Sequence, residues 1–269
     1  MLSRSIPSVS QAQPPSQWSL ECPIVYGPIR SRRYGFSLGI NLLPSGWKLC
    51  NFDCLYCQCG WTGRSRFRDS FAAVPFPLLE EVERTVDRIF RELGQARVQP
   101  DTIVFSGNGE PTLHPGFPEA ARLVEAYRDQ YLPETQIGIL TNGTRILVAG
   151  VGDAIARMEF KSFKLDAGLD WMNRPLGSHP LEPLLPAWSQ IPDLTIQSFF
   201  CEGRFDNTLS QVVAPWVERL CRIKPRRVHL YTLDRLPAST LIQKASLTSL
   251  TRAARAVVNA TGIEVDVFD

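Results

Sequence analysis

From about residue 37 onward the hydrophobic positions of this chain fall into two alternating rhythms. Ser37 to Leu43 (SLGINLL) is a short apolar run closed by Pro44, Ser45 and Gly46, residue types that end a strand. Between Pro77 and Leu93 the period changes. Leu79, Val82, Val86, Ile89, Phe90 and Leu93 recur at helical spacing on one face, with Glu80 and Glu81 in the first turn, where negative charge suits the helix dipole. Thr102 to Ser106 (TIVFS) predicts a second strand and Phe117 to Tyr127 a second helix. A strand at Gln136 to Leu140, a helix at Ile146 to Met158 and a strand at Phe160 to Leu165 follow. Strands at Leu194 to Phe199 and Arg227 to Tyr231 flank a helix near Leu209 to Ile223, for which Asn207 and Thr208 are suitable N-cap residues. A helix over Leu241 to Ala260 then leads to a closing strand at Ile263 to Phe268.

Strands that alternate with helices build βαβ units around a parallel sheet. The pattern supplies six units, fewer than the eight of a closed barrel. The expected fold is therefore α/β, an open six-unit (β/α) barrel with parallel strands, with a doubly wound sheet as the second choice. Either architecture places ligands at the carboxyl ends of the strands, which selects the residues to inspect. Residues 1–22, rich in Ser, Pro and Gln, predict a flexible tail, and residues 23–269 one domain. The chain has no apolar run of about 18 or more residues to span a membrane and no leader pattern at its start, so a cytoplasmic location is expected. A net charge of +2 does not announce a nucleic-acid binder.

Cysteine usage changes the picture. Of seven cysteines, Cys50, Cys54, Cys57 and Cys59 fall within ten residues, directly after the first predicted strand. A disulfide framework would be spread along the chain and paired, whereas clustered thiols in a reducing compartment indicate a metal. Cys50, Cys54 and Cys57 have the spacing C-x3-C-x2-C. Three thiolates on a [4Fe–4S] cluster leave one iron open, where four would close it. A zinc site built from these three and Cys59 is the bland alternative, but zinc ligands usually come as separated pairs. Cys201 and Cys221 read as small core residues.

Other strand ends carry polar groups. The second strand runs into Ser106-Gly-Asn-Gly-Glu-Pro111, whose glycines permit close backbone approach. The third ends in Thr141-Asn142-Gly-Thr, and the fourth in Lys164-Leu-Asp166, whose two charges share a strand face. Gln197 lies on the fifth strand, and His229 and Tyr231 share a face of the sixth; with Asp166 they are candidate substrate contacts. A structural Lys164–Asp166 pair is equally open at this stage.

The C-x3-C-x2-C loop after the first strand, with Tyr56 just before its last cysteine, resembles the radical S-adenosylmethionine superfamily. The resemblance implies that Cys50, Cys54 and Cys57 hold the [4Fe–4S] cluster and that S-adenosylmethionine occupies the open iron. It places Tyr56 near the adenine and gives Gly107, Gly109 and Glu110 the role of the glycine-glycine-glutamate motif at the cofactor's amino group. Asn142 and Thr141 would contact its ribose or carboxylate, and Lys164 its carboxylate. An electron donor such as flavodoxin or ferredoxin is implied as partner.

Within the superfamily, Tyr26-Gly-Pro-Ile-Arg-Ser-Arg-Arg33, Leu38-Gly-Ile-Asn-Leu-Leu-Pro44, Ser-Gly-Asn-Gly-Glu-Pro-Thr-Leu-His-Pro and Lys-Leu-Asp-Ala look like proteins related to the wyosine-base tRNA synthases. Those enzymes carry three further cysteines upstream of the motif, where this chain has only Cys22. The radical chemistry is carried over and the tRNA substrate is not. The leading expectation is thus hydrogen abstraction by a 5′-deoxyadenosyl radical from a small metabolite or peptide. A tRNA-modifying enzyme, with Arg30, Arg32, Arg33, Arg64, Arg66 and Arg68 as a basic surface, stands second. A non-catalytic iron–sulfur or zinc protein stands third.

Overall fold

The computed structural model describes residues 20, 22–62, 74–169, 181–234, 237 and 239–269. Most of the predicted tail, the Arg64, Arg66 and Arg68 cluster, and His179 lie outside these residues. The chain opens with an antiparallel hairpin, β1 (Val25–Ser31) and β2 (Gly35–Ile40). Then come α1 (Leu79–Gln95), β3 (Thr102–Phe105), α2 (Phe117–Tyr131), β4 (Gln136–Thr141), α3 (Val151–Arg157) and β5 (Phe160–Lys164). The second half supplies the short α4 (Leu185–Trp188), β6 (Leu194–Phe199), β7 (Cys201–Gly203), α5 (Ser210–Ile223), β8 (Arg227–Tyr231), β9 (Ile242–Lys244), α6 (Leu247–Thr261) and β10 (Glu264–Phe268).

Eight strands form one sheet in the order β1-β2-β3-β4-β5-β6-β8-β10, and every pair after the hairpin is parallel. The order never reverses. With right-handed crossovers, all the helices therefore fall on one face of the sheet, and the sheet curls around the other. This is the open six-unit α/β barrel, and the doubly wound alternative, which needs a reversal of strand order, is excluded. Between sheet and helices lies a continuous apolar core. Val82, Val86 and Phe90 of α1, Phe117 and Val124 of α2, Trp216 and Leu220 of α5, and Leu250 and Val257 of α6 are fully buried. Each such side chain contributes about 1.5–3 kcal/mol relative to exposure.

Register sets the height of each interior residue. Lys164, Gln197, His229 and Asp266 pair directly across β5, β6, β8 and β10 and so occupy one rung of the inner face. Phe199, Tyr231 and Phe268 form the next rung toward the carboxyl ends. Beneath both, the hairpin turn tucks in Tyr34, whose hydroxyl bonds Ser162 Oγ at 2.7 Å and whose ring stacks on Phe160 at 4.9 Å. The same turn reaches the opposite sheet edge: Arg32 pairs with Asp234 at 3.0 Å and donates to the Asp269 carbonyl at 2.8 Å.

Several expectations need correction. β1 was not foreseen, and α3 is shorter than Ile146 to Met158 because Gly150, at φ +77°, sets its start. Leu241 to Ala260 is not all helix, since Ile242–Lys244 pairs with Cys201–Gly203 and α6 begins after Ser246, whose hydroxyl caps it. The N-cap of α5 is Leu209; the Asn207 amide instead accepts from Cys201 N and donates to the Asp166 and Phe199 carbonyls at 2.7–2.8 Å. Cys201 is buried as expected, but Cys221 is exposed.

Candidate functional site

The loop after β2 carries the cysteines, and backbone pairing fixes it over the end of β3. Leu49 N donates to the Asn108 carbonyl at 2.8 Å, and Glu110 N donates to the Leu49 carbonyl at 3.0 Å. A Cβ on Gly109, which has φ +146°, would lie 1.8 Å from the Leu49 oxygen, so only glycine lets the loop lie this close. Gly107 serves the same end, because a Cβ there would meet Asn41 Oδ1 at 2.3 Å. The glycines were expected to make room for a ligand. In the fold they first make room for the cysteine loop.

Within the loop Cys57 N donates to the Cys54 carbonyl at 3.0 Å, and Phe52 N donates to Cys50 Sγ at 3.3 Å. Lys48, only 3% exposed, places its ammonium 2.9 Å from the Gly60 carbonyl and 3.3 Å from Asp53 Oδ1. Asn51 ties the loop to the end of β4, its Oδ1 accepting from Asn142 Nδ2 at 2.7 Å and its Nδ2 donating to Thr144 Oγ1 at 2.7 Å. Sequence reasoning missed Lys48 and Asn51. A lysine set between Trp47 and Leu49 at the mouth of the motif was the one signal for the first.

Glu110 is buried and almost fully engaged. Its Oε1 accepts from Thr112 N, Thr112 Oγ1 and Thr141 Oγ1 at 3.2, 2.6 and 2.6 Å, while among the described residues Oε2 accepts only from Asn142 N at 2.7 Å. Burial pushes its carboxyl up, against the hydrogen bonds from Asn142, Thr112 and Thr141. A carboxylate oxygen has two lone pairs, so Oε2 keeps an acceptor site. Lys164 and Asp166 do form the ion pair that was one of the two open readings. Asp166 also accepts from the Tyr56 hydroxyl at 2.8 Å and from Phe199 N at 2.8 Å. Tyr56 is thereby pinned against Phe199, ring centroids 3.8 Å apart.

These elements enclose one cavity of about 460 Å³ at the carboxyl ends of the strands. Of the sequence-selected residues, Cys50, Cys54, Cys57, Tyr56, Gly107, Gly109, Glu110, Thr141, Asn142, Lys164, Gln197 and Tyr231 all line it. Asp166 and His229 do not. Asp166 is spent on its partners, and His229 lies one rung below Tyr231, its Nε2 3.5 Å from Asp266 Oδ2. Cys59 also faces the cavity, its thiol donating to the Gly107 carbonyl at 3.6 Å.

A model of the radical SAM superfamily matches residues 46–167, the stretch running from the cysteine loop through Asp166. The chain carries a radical SAM domain. It is 32% identical over 238 residues to a UPF0026 protein of Helicobacter pylori, covering 83% of this chain and 70% of that one, and belongs to that family. Solved structures share the fold, two of them as follows. SuiB of Streptococcus suis, bound to S-adenosylmethionine, matches 86% of this chain at TM-score 0.59 and 14% identity, and this chain spans 50% of its length. TYW1 with a lysine-pyruvate adduct matches 83% of this chain and 73% of its own at TM-score 0.56 and 16% identity.

As a radical SAM protein this chain is an enzyme that uses a [4Fe–4S] cluster and S-adenosylmethionine, which overturns the non-catalytic reading. The cavity fits both groups. Three thiols from one loop share it with two ammonium groups, Lys48 and Lys164. Burial pushes the Cys50 and Cys54 thiols up. A hydrogen bond from Cys59, aided by Lys48, holds Cys57 down at about 5 against its burial. Among the described residues no helix is long and apolar enough to cross a membrane.

Proposed function

We propose that this enzyme cleaves S-adenosylmethionine reductively and takes a hydrogen atom from a small metabolite or peptide held in the same cavity. The observation that carries the reading is the placement of three cysteine thiols and the Glu110 carboxylate in the wall of one cavity at the strand ends. When bound, the cluster and S-adenosylmethionine supply one electron and a 5′-deoxyadenosyl radical, chemistry that belongs to the cofactor pair.

The chain's own part is positioning and charge. Cys50, Cys54 and Cys57 hold the cluster and leave one iron free. The open acceptor site on Glu110 Oε2 receives the ammonium of S-adenosylmethionine, a charge-assisted hydrogen bond. Gly107, Gly109, Thr141 and Asn142 form the wall around it, and Tyr56 offers a ring face braced by Phe199 and Asp166. Lys164, paired to Asp166, presents its ammonium toward the carboxylate of the cofactor. A one-electron donor such as flavodoxin or ferredoxin delivers the reducing equivalent. Two of the hairpin arginines lend the tRNA reading no support, because Arg32 is paired with Asp234 and Arg33 faces the cavity.

The test is anaerobic reconstitution with iron and sulfide, reduction by dithionite with S-adenosylmethionine present, and analysis for 5′-deoxyadenosine. The expected result is 5′-deoxyadenosine from the native chain and none from Cys54→Ala. Product from a correctly folded Cys54→Ala protein would refute the ligand assignment.

A further inference from the structure

The charged side chains that line the cavity can be accounted for almost completely. Arg32 pairs with Asp234, Lys48 with Asp53 and Lys164 with Asp166, while Glu110 is held by Thr112, Thr141 and Asn142. Arg33 is the exception. Among the described residues no carboxylate lies within ion-pair distance of it, and Nη1 makes its one side-chain hydrogen bond, to Gln197 Oε1 at 3.0 Å. Its guanidinium lies 4.5 Å from the Tyr231 ring centroid and 5.4 Å from that of Tyr34. Gln197 is itself anchored by donating to the Ser162 carbonyl at 3.2 Å. A planar cation clamped between two rings and an amide is pre-organised, so little rotamer freedom remains to be lost when it binds.

Position adds direction. The groups assigned to the cofactors stand on the β2 loop and at the ends of β3, β4 and β5, whereas Arg33, Gln197 and Tyr231 belong to the hairpin turn, β6 and β8. The uncompensated charge therefore faces the side of the cavity that the cofactors leave over. Its field is also felt below, where it helps keep His229 neutral after the larger effect of burial. A cation with unused N–H groups, in a wall otherwise neutralised, is matched by an oxyanion, for which the guanidinium fork is shaped.

We infer that Arg33, held by Gln197 and Tyr231, is the subsite for an oxyanion group of the substrate, a carboxylate or a phosphate. The inference rests on the proposed function in one respect, that the molecule bearing the oxyanion is the one that gives up the hydrogen. The substrate is then a small acid or a phosphorylated compound anchored at the cavity floor by its charge.

Phenylglyoxal labelling of the reconstituted, S-adenosylmethionine-bound native protein tests this, with modification of Arg33 followed by peptide mass spectrometry. Acetate, inorganic phosphate and neutral acetamide serve as probes, and exposed Arg30 is the internal control. The expected result is saturable protection of Arg33 by one of the anions, at least threefold in rate, with Arg30 unaffected and acetamide without effect. Protection by acetate alone identifies a carboxylate site, and protection by phosphate alone a phosphate site. Absence of protection by either anion, or equal protection by acetamide, overturns the proposal. Ligand-observed NMR should further show anion affinity reduced about tenfold or more in Arg33→Gln, as loss of a charged hydrogen bond implies. Formation of 5′-deoxyadenosine by the native protein is scored separately, so failure of the radical reading and failure of the anion site give different results.

Discussion

A buried ammonium beside three thiols has an electrostatic consequence that one substitution isolates. Burial by itself would push the Lys48 ammonium down, but Cys57, Cys50, Cys54 and Asp53 around it push it up, so it stays charged. A cluster on three thiolates carries net negative charge that grows on reduction, and a fixed cation in a low-dielectric wall favours the reduced form. Lys48→Met should lower the midpoint potential of the reconstituted cluster in an EPR-monitored redox titration. It should also cost about 1–3 kcal/mol of stability through the lost bonds to Gly60 and Asp53. An unchanged or raised potential would show that the lysine is a loop anchor and nothing more. Gly109→Ala probes the neighbouring contact. With the Leu49 oxygen 1.8 Å from the added carbon, the loop must lift from β3, at a cost of about 2–3 kcal/mol in denaturant unfolding. Cluster incorporation should fall with it, since the cysteines ride on that loop. Wild-type stability in Gly109→Ala would mean the loop has another seat.

At the scale of elements, strands were legible where both faces are buried and the pattern is a plain apolar run. Thr102–Phe105 sits where the sequence placed it, to within a residue, because a parallel strand buried on both faces reads as a largely apolar run. β1 was not, because Gly27 and Pro28 interrupt it; an edge strand tolerates proline where an inner one does not. β9 escaped for another reason. Leu-Ile-Gln-Lys-Ala suits helix or strand alike, and only pairing with β7, distant in sequence, decides. The candidate site was read from residue type, strand position and the resemblance to the superfamily, and twelve of its members line the cavity. Lys48, Asn51 and Arg33 were beyond that method, since their roles come from contacts between segments. Gly168 illustrates such a contact between elements. A Cβ there would lie 2.0 Å from the Pro215 carbonyl carbon, so α5 packs against bare backbone at the end of β5. Gly168→Ala should displace α5 and lower stability by about 1–3 kcal/mol, read as a fall in Tm; an unchanged Tm would show that α5 slides without cost.

Taken whole, the molecule is a sheet open along one seam, with the hairpin turn reaching across and the cavity above two interior rungs. The sequence put His229 and Tyr231 on one face correctly but could not give their heights. The lower residue is closed off from the cavity, and this makes it a titration probe of the barrel interior. His229 is 8% exposed; burial first, then the Arg33 and Arg227 guanidinium groups, hold its imidazole down at about 4. Asp266 does not reverse this, because its carboxylate is shared with Arg227 at 3.3 Å. The unfolded chain takes up a proton near pH 6.5, whereas the folded chain resists until about 4. Stability from this residue is therefore complete above pH 6.5 and is lost as pH falls toward 4. Glu110, raised by burial, works in the opposite sense, and His114, lowered by burial, in the same one. Both are common to native and variant protein and cancel in the difference. Urea unfolding of wild type and His229→Gln at pH 7 and pH 5 should thus differ in slope, the native protein losing about 2 kcal/mol more on acidification. Parallel losses would mean that water reaches the imidazole and that the interior below Tyr231 is not sealed.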